Sequence, residues 1–161
     1  MTSTEFIQNK ISPDIYTGKY LKICDFMLLW TLFEKHILSA TSSDSTIAAK
    51  ILTVSNTLTV SYSDAFNKLK SWYFSDGKSD SVFSLFAGHR NPNHKRLVKG
   101  TIELESKATG TDKLATTIIL IYKYRCNFFH GVKELSQVIP DQEAKLDCFN
   151  EFLIRCLSTK I

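Results

Sequence analysis

The segment RCNFFHG, residues 125–131, directly follows a long apolar run, LATTIILIYKY, and sets an arginine and a histidine five positions apart, with four residues between them. Both side chains have chemistry to offer. Histidine exchanges protons near neutral pH, and arginine carries a fixed charge in a planar fork that fits phosphate or carboxylate. On a helix of 3.6 residues per turn, Arg125 and His130 point about 140° apart. They cannot touch as helical neighbours do. One ligand could meet both only across the helix end, or with a second chain contributing. Arg125 also lies on the line Leu114, Ile118, Ile121, Arg125, Phe128, where it interrupts the most apolar stripe of the helix. An arginine there is costly unless it is paired, snorkels out or lines a cleft. An ion pair with Glu34, which sits on the line Trp30–Glu34–Leu38, would resolve the cost and leave His130 as a helix-terminal residue favoured by the dipole. A functional site would resolve it too. The pattern alone leaves both open.

The elements that must hold these residues read as helices almost throughout. From about Tyr16 to Ser39, Phe26, Trp30, Phe33 and Ile37 form a helical stripe with Cys24, Leu28 and Leu32 beside it. That helix is apolar around much of its circumference, which predicts a central place in a bundle. The TSSDST segment ends it and offers N-caps for the next. Ile47, Ile51, Val54 and Leu58 keep helical spacing, yet LTVSNTLTVSY is rich in Thr, Val and Ser, so a strand is the alternative there. Tyr62, Phe66, Leu69 and Tyr73 predict a further helix that Asp76–Gly77 closes, and Asp80–Ala87 a short one stopped by Gly88. A strong helix is expected from about Asp112 to His130, ended by Gly131. A last amphipathic helix carries Phe149, Phe152, Leu153 and Cys156. The expected fold is all-α: one domain over residues 1–161, a bundle of about four long helices plus short ones.

Length and composition bound the function. A chain of 161 residues, 43% hydrophobic and 22% charged, suits one soluble domain with a proper core. No signal-peptide pattern opens it, and no apolar stretch is long enough to span a bilayer, so a cytoplasmic protein with no membrane partner is expected. Cys24, Cys126, Cys148 and Cys156 lack zinc-ligand spacing and read as free, partly buried thiols. The net charge of +4 is mild, but its distribution is uneven. From Ser81 to Ile102 there is no acidic residue, while Arg90, Lys95, Arg96 and Lys99 accumulate. With Pro92 and bounding glycines, GHRNPNHKRLVKG reads as a loop entering a short helix. A mobile basic loop of that kind could follow a phosphate backbone. His89 and His94 have no carboxylate or cysteine nearby to complete a metal site.

The RCNFFHG segment resembles the R-x4-6-H signature of the HEPN superfamily, small helical domains that include many metal-independent ribonucleases. Arg125 and His130 match its arginine and histidine, and Gly131 and Lys133 resemble stand-alone prokaryotic members. The segment FMLLWTLFEKHIL, Phe26 to Leu38, is similar to the apolar first helix of such proteins. Together the matches cover about a third of the chain. One departure is Cys126, which stands where the family usually has a polar residue directly after the arginine; the asparagine comes next, as Asn127.

The resemblance implies an endoribonuclease of toxin–antitoxin or antiviral-defence type that needs no metal or other cofactor. His130 would move protons, Arg125 would stabilise charge on the phosphorane, and Asn127 and Glu34 would support them. Arg90, Lys95, Arg96, Lys99 and Lys133 would bind RNA. The implied partners are RNA, a second copy in a homodimer, and a cognate antitoxin or regulatory protein. The alternative is a HEPN-like module without catalysis, which dimerises or binds a nucleotide or partner.

Overall fold

A computed structural model describes residues 18–39, 44–74, 92–129 and 143–160. Six α-helices lie among them: α1 (Gly18–Phe33), α2 (Asp44–Ser55), α3 (Ser63–Tyr73), α4 (Pro92–Glu103), α5 (Gly110–Phe129) and α6 (Glu143–Leu157). No strand occurs among the described residues, and the fold is all-α. None of these helices is long and apolar enough to cross a membrane. The short helix expected over Asp80–Ala87 falls outside the described residues.

The centre of the bundle is α5. Every residue from Leu114 to Tyr124 is buried, on all sides of the helix, and α2, α3 and α4 pack against it. Its start is fixed by a reciprocal cap. The backbone N–H and hydroxyl of Thr109 donate to one carboxylate oxygen of Asp112 (2.9 and 2.7 Å), and the Asp112 N–H donates back to Thr109 Oγ1 (3.1 Å). Leu104–Lys107 form the turn between α4 and α5. There Glu105 pairs with Lys70 of α3 and with Lys113 of α5 (3.8 Å).

The central position expected of α1 is therefore α5's instead. Ile23, Phe26, Trp30, Phe33 and Ile37 of α1 and its continuation are buried, but Leu21, Leu28 and Leu32 on the opposite face are exposed, Leu28 by 65%. Apolar residues on two faces identify a helix that can be buried on either, and only one found a partner, chiefly α6. Lys22 fastens that pair, its ammonium bonding Glu143 (2.9 Å) and Asp147 (2.7 Å) while its carbonyl accepts from Asn150 Nδ2 (3.1 Å). After Phe33 the chain widens into a π-helical turn, Glu34–Leu38, that turns both Ile37 and Leu38 inward. Ser39 ends it in the left-handed region at φ 48°, and Lys50 of α2 donates to the Ser39 carbonyl.

The strand alternative over residues 52–62 does not form. Thr53 and Ser55 return their hydroxyls to the carbonyls of Ala49 (3.0 Å) and Ile51 (2.7 Å), so side chains of low helix propensity are satisfied inside α2. The helix ends at Ser55, before Leu58, which is buried from the connecting segment. The basic stretch is not a loop from Pro92 onward. Pro92 opens α4, because proline's missing N–H costs nothing in a first turn.

Two aromatic clusters lock α5 to its neighbours. Phe149 of α6 meets Tyr124 at 4.8 Å, Phe26 of α1 at 5.8 Å and Trp72 of α3 at 6.4 Å between ring centroids. On the other side Tyr122 stacks on Trp30 of α1 (5.9 Å) and receives the edge of His94 of α4 (6.1 Å).

Candidate active site at the end of the central helix

Arg125 follows the two tyrosines as the first residue after Leu114 that is not fully buried, and Cys126 beyond it is buried again. Tyr122 and Tyr124, two residues apart, face different neighbours, so the backbone beneath Arg125 is held from both sides. Ile118 and Ile121 on its stripe are fully buried, whereas Arg125 is half-buried. Along the described part of the stripe, Arg125 is the first residue after Leu114 to reach solvent. Asn127 lies in the last turns of α5. The side chain of Asn127, and His130, Gly131, Lys133 and Arg90 entirely, fall outside the described residues.

The register between α1 and α5 separates Arg125 from Glu34. Phe26 lies beside Tyr124 (5.8 Å) and Trp30 beside Tyr122 (5.9 Å), so the helices run antiparallel. Glu34 is two turns beyond Phe26, displaced by about 12 Å along the axis from the level of Tyr124. Among the described residues no ion pair joins Glu34 to Arg125.

A second cation stands at the same helix end. Lys123 is 1% exposed, and its ammonium lies 5.0 Å from the centroid of the Tyr122 ring. A desolvated cation over an aromatic face gains about 2 kcal/mol. Sequence reasoning passed over Lys123 as part of an apolar run. The sequence carried no sign of its burial, since only the packing of α2, α3 and α4 around α5 removes the solvent face such a lysine would occupy. Burial pushes the Cys126 thiol up, while the positive charges of Lys123 and Arg125 pull it part of the way back. Burial likewise raises the Tyr124 phenol. Both groups stay neutral at physiological pH, and the fixed charge at the site is that of the Arg125 guanidinium.

The basic residues of α4 divide between two faces. Lys95 and Lys99 point outward, and Lys99 lies 3.7 Å from Glu103 one turn on. His94 turns inward, 2% exposed, to meet Tyr122. That contact sets the first turn of α4 beside the last third of α5, so Lys95 starts close to the helix end that carries Arg125. Among the described residues no three His, Cys, Asp or Glu side chains gather as a metal site. All four cysteines are free, and Cys126, Cys148 and Cys156 are buried. Comparison with protein-family models, with curated protein sequences and with solved structures finds no match to this chain.

Proposed function

We propose that the protein is a metal-independent endoribonuclease of the kind the HEPN resemblance implies, acting at the C-terminal end of α5. The observation that carries this reading is Arg125. It is half-buried directly after Leu114–Tyr124, a run of helix buried on every side. His130 takes the proton from a ribose 2′-hydroxyl, and the freed oxygen attacks the adjacent phosphorus. Arg125 stabilises the charge that builds on the phosphorane oxygens. The P–O5′ bond then breaks, and the departing 5′-oxygen takes up a proton. The products are a 2′,3′-cyclic phosphate and a 5′-hydroxyl. Lys95 and Lys99, with Arg90 and Lys133, supply charge along the RNA backbone, while Arg96, expected to join them, lies on the opposite face of α4.

The splay of about 140° between Arg125 and His130 favours a homodimer in which each site joins Arg125 of one chain to His130 of the other. A toxin or antiviral effector with a cognate inhibitor, working in the cytoplasm, is the biological setting this chemistry suits. Incubating mixed RNAs with the protein in excess EDTA tests the mechanism. Fragments with cyclic phosphate and 5′-hydroxyl ends are expected; 5′-phosphate ends, or loss of cleavage in EDTA, would exclude it. Cys126 favours one other reading, a binding module of the same shape without catalysis. Its buried neutral thiol occupies the place of the family's usual polar residue. Such a protein would bind RNA or a nucleotide and leave it intact.

A further inference from the structure

A groove of about 530 Å3 runs along α4, on the side turned away from Lys95 and Lys99. Its volume falls within the range of small-molecule sites, about 300–1,000 Å3. Leu97 and Leu104 from the α4 side, Leu52 of α2 and Ala108 make its walls, all aliphatic. Leu52 and Leu104 are 41% and 56% exposed, so the groove presents apolar surface to water. Among the described residues no aromatic ring lines it as a stacking platform for a nucleobase.

Gly100 sits in the middle of this wall. A glycine inside a helix costs roughly 0.5–1 kcal/mol against alanine. Among the described residues no packing constraint explains it, because a Cβ at Gly100 would meet none of them within 4 Å. The space it leaves open is the groove itself.

Two cations and one acid line the same groove: Arg96, Lys107 and Asp112. The acids of this region are already engaged. Asp112 accepts both bonds from Thr109, Glu103 lies by Lys99, and Glu105 pairs with Lys70 and Lys113. Among the described residues Arg96 and Lys107 have no ion pair. An aliphatic trough with two uncommitted positive charges is complementary to one class of ligand.

We propose that this groove binds a small amphiphile with an aliphatic tail and a carboxylate head, the tail against Leu52, Leu97 and Leu104 and the head against Arg96 and Lys107. The site is separate from the end of α5 and does not depend on ribonuclease activity.

The test is a titration of the full chain with sodium octanoate, followed by amide chemical shifts in two-dimensional NMR. Saturable shifts centred on Gly100, Thr101 and Ala108 are expected. Octanol and octylammonium should bind at least about fivefold more weakly, and Lys107→Ala should weaken octanoate by a similar factor. Gly100→Leu fills the trough without a helix penalty and should abolish binding, with an otherwise native spectrum. Equal binding of all three amphiphiles would overturn the anionic head. Absence of saturable shifts at these residues would overturn the site, as would shifts there from oligouridylate but not octanoate. Octanoate binding unaffected by Gly100→Leu would do the same.

Discussion

Arg125 and the buried thiols are the side chains with the sharpest consequences. If Arg125 serves chemistry, Arg125→Ala should lower RNA cleavage by about 100-fold or more, the scale of losing one donor to a developing charge. Thermal unfolding should move by no more than about 1 kcal/mol, as for positions outside a structural network. His130→Ala should behave likewise, and mixing the two inactive variants should restore part of the cleavage if the site joins two chains. A sharp fall in melting temperature with cleavage intact would make Arg125 structural. The thiols report on the core instead. Burial raises Cys126, Cys148 and Cys156, the last to about 12. An unfolded thiol loses its proton near pH 8.5, so above that pH the folded chain holds more protons and stability falls as pH rises. Cys156 contributes up to about 1.4 kcal/mol per pH unit while only its unfolded form is ionised, and Cys126 and Cys148 add in the same direction. Urea unfolding at pH 8 and pH 10 should show this loss, with a shallower decline in Cys156→Ala. A midpoint independent of pH over that range would mean the thiols are not held away from water. Lys123 was not legible at this scale. In a sequence, a lysine within an apolar run reads as that helix's solvent face, and only the packing of α2, α3 and α4 around α5 reveals that no such face exists.

The helix that carries Arg125 depends on how it begins. Thr109 and Asp112 satisfy free N–H groups at the start of α5 reciprocally, so Thr109→Ala should cost about 1 kcal/mol. Chemical denaturation would measure it, and a cost near zero would mean that water replaces the cap fully. These boundaries were largely readable: periodicity placed α3, α5 and α6, and the expected extent of α1 includes its π-helical end. Two features were not. Pro92 looked like a break in a basic loop, because a proline signals either the end of a helix or its first turn, and the local sequence does not say which. The rank of α1 also misled. Leu21, Leu28 and Leu32 are as hydrophobic as Phe26, Trp30 and Phe33, and hydrophobicity alone cannot tell which face meets α6. The all-α class survived both errors, since neither changes the helical period. Of the candidate site, the sequence supplied Arg125 on its apolar stripe. It could not supply the antiparallel register that carries Glu34 away from it, because register is a property of two helices packed together.

Across the whole molecule, one helix serves two purposes. The run Leu114–Tyr124 is enclosed by three helices and tied by Tyr122 and Tyr124 to two more contacts, at Trp30 and Phe149. The segment just before Arg125 is therefore the most enclosed stretch of backbone described. Amide hydrogens there have no local route to solvent. In deuterium exchange, residues 115–122 should open only with the free energy of global unfolding, while the exposed side of α4 exchanges through smaller openings. Exchange of α5 through a much cheaper opening would show that the centre can loosen by itself. If it cannot, the position of Arg125 is inherited from the entire fold. Destabilising substitutions far away would then reduce the number of working molecules without altering the rate of each one. A kinetic defect confined to turnover would have to originate within the last turns of α5 or in what meets them.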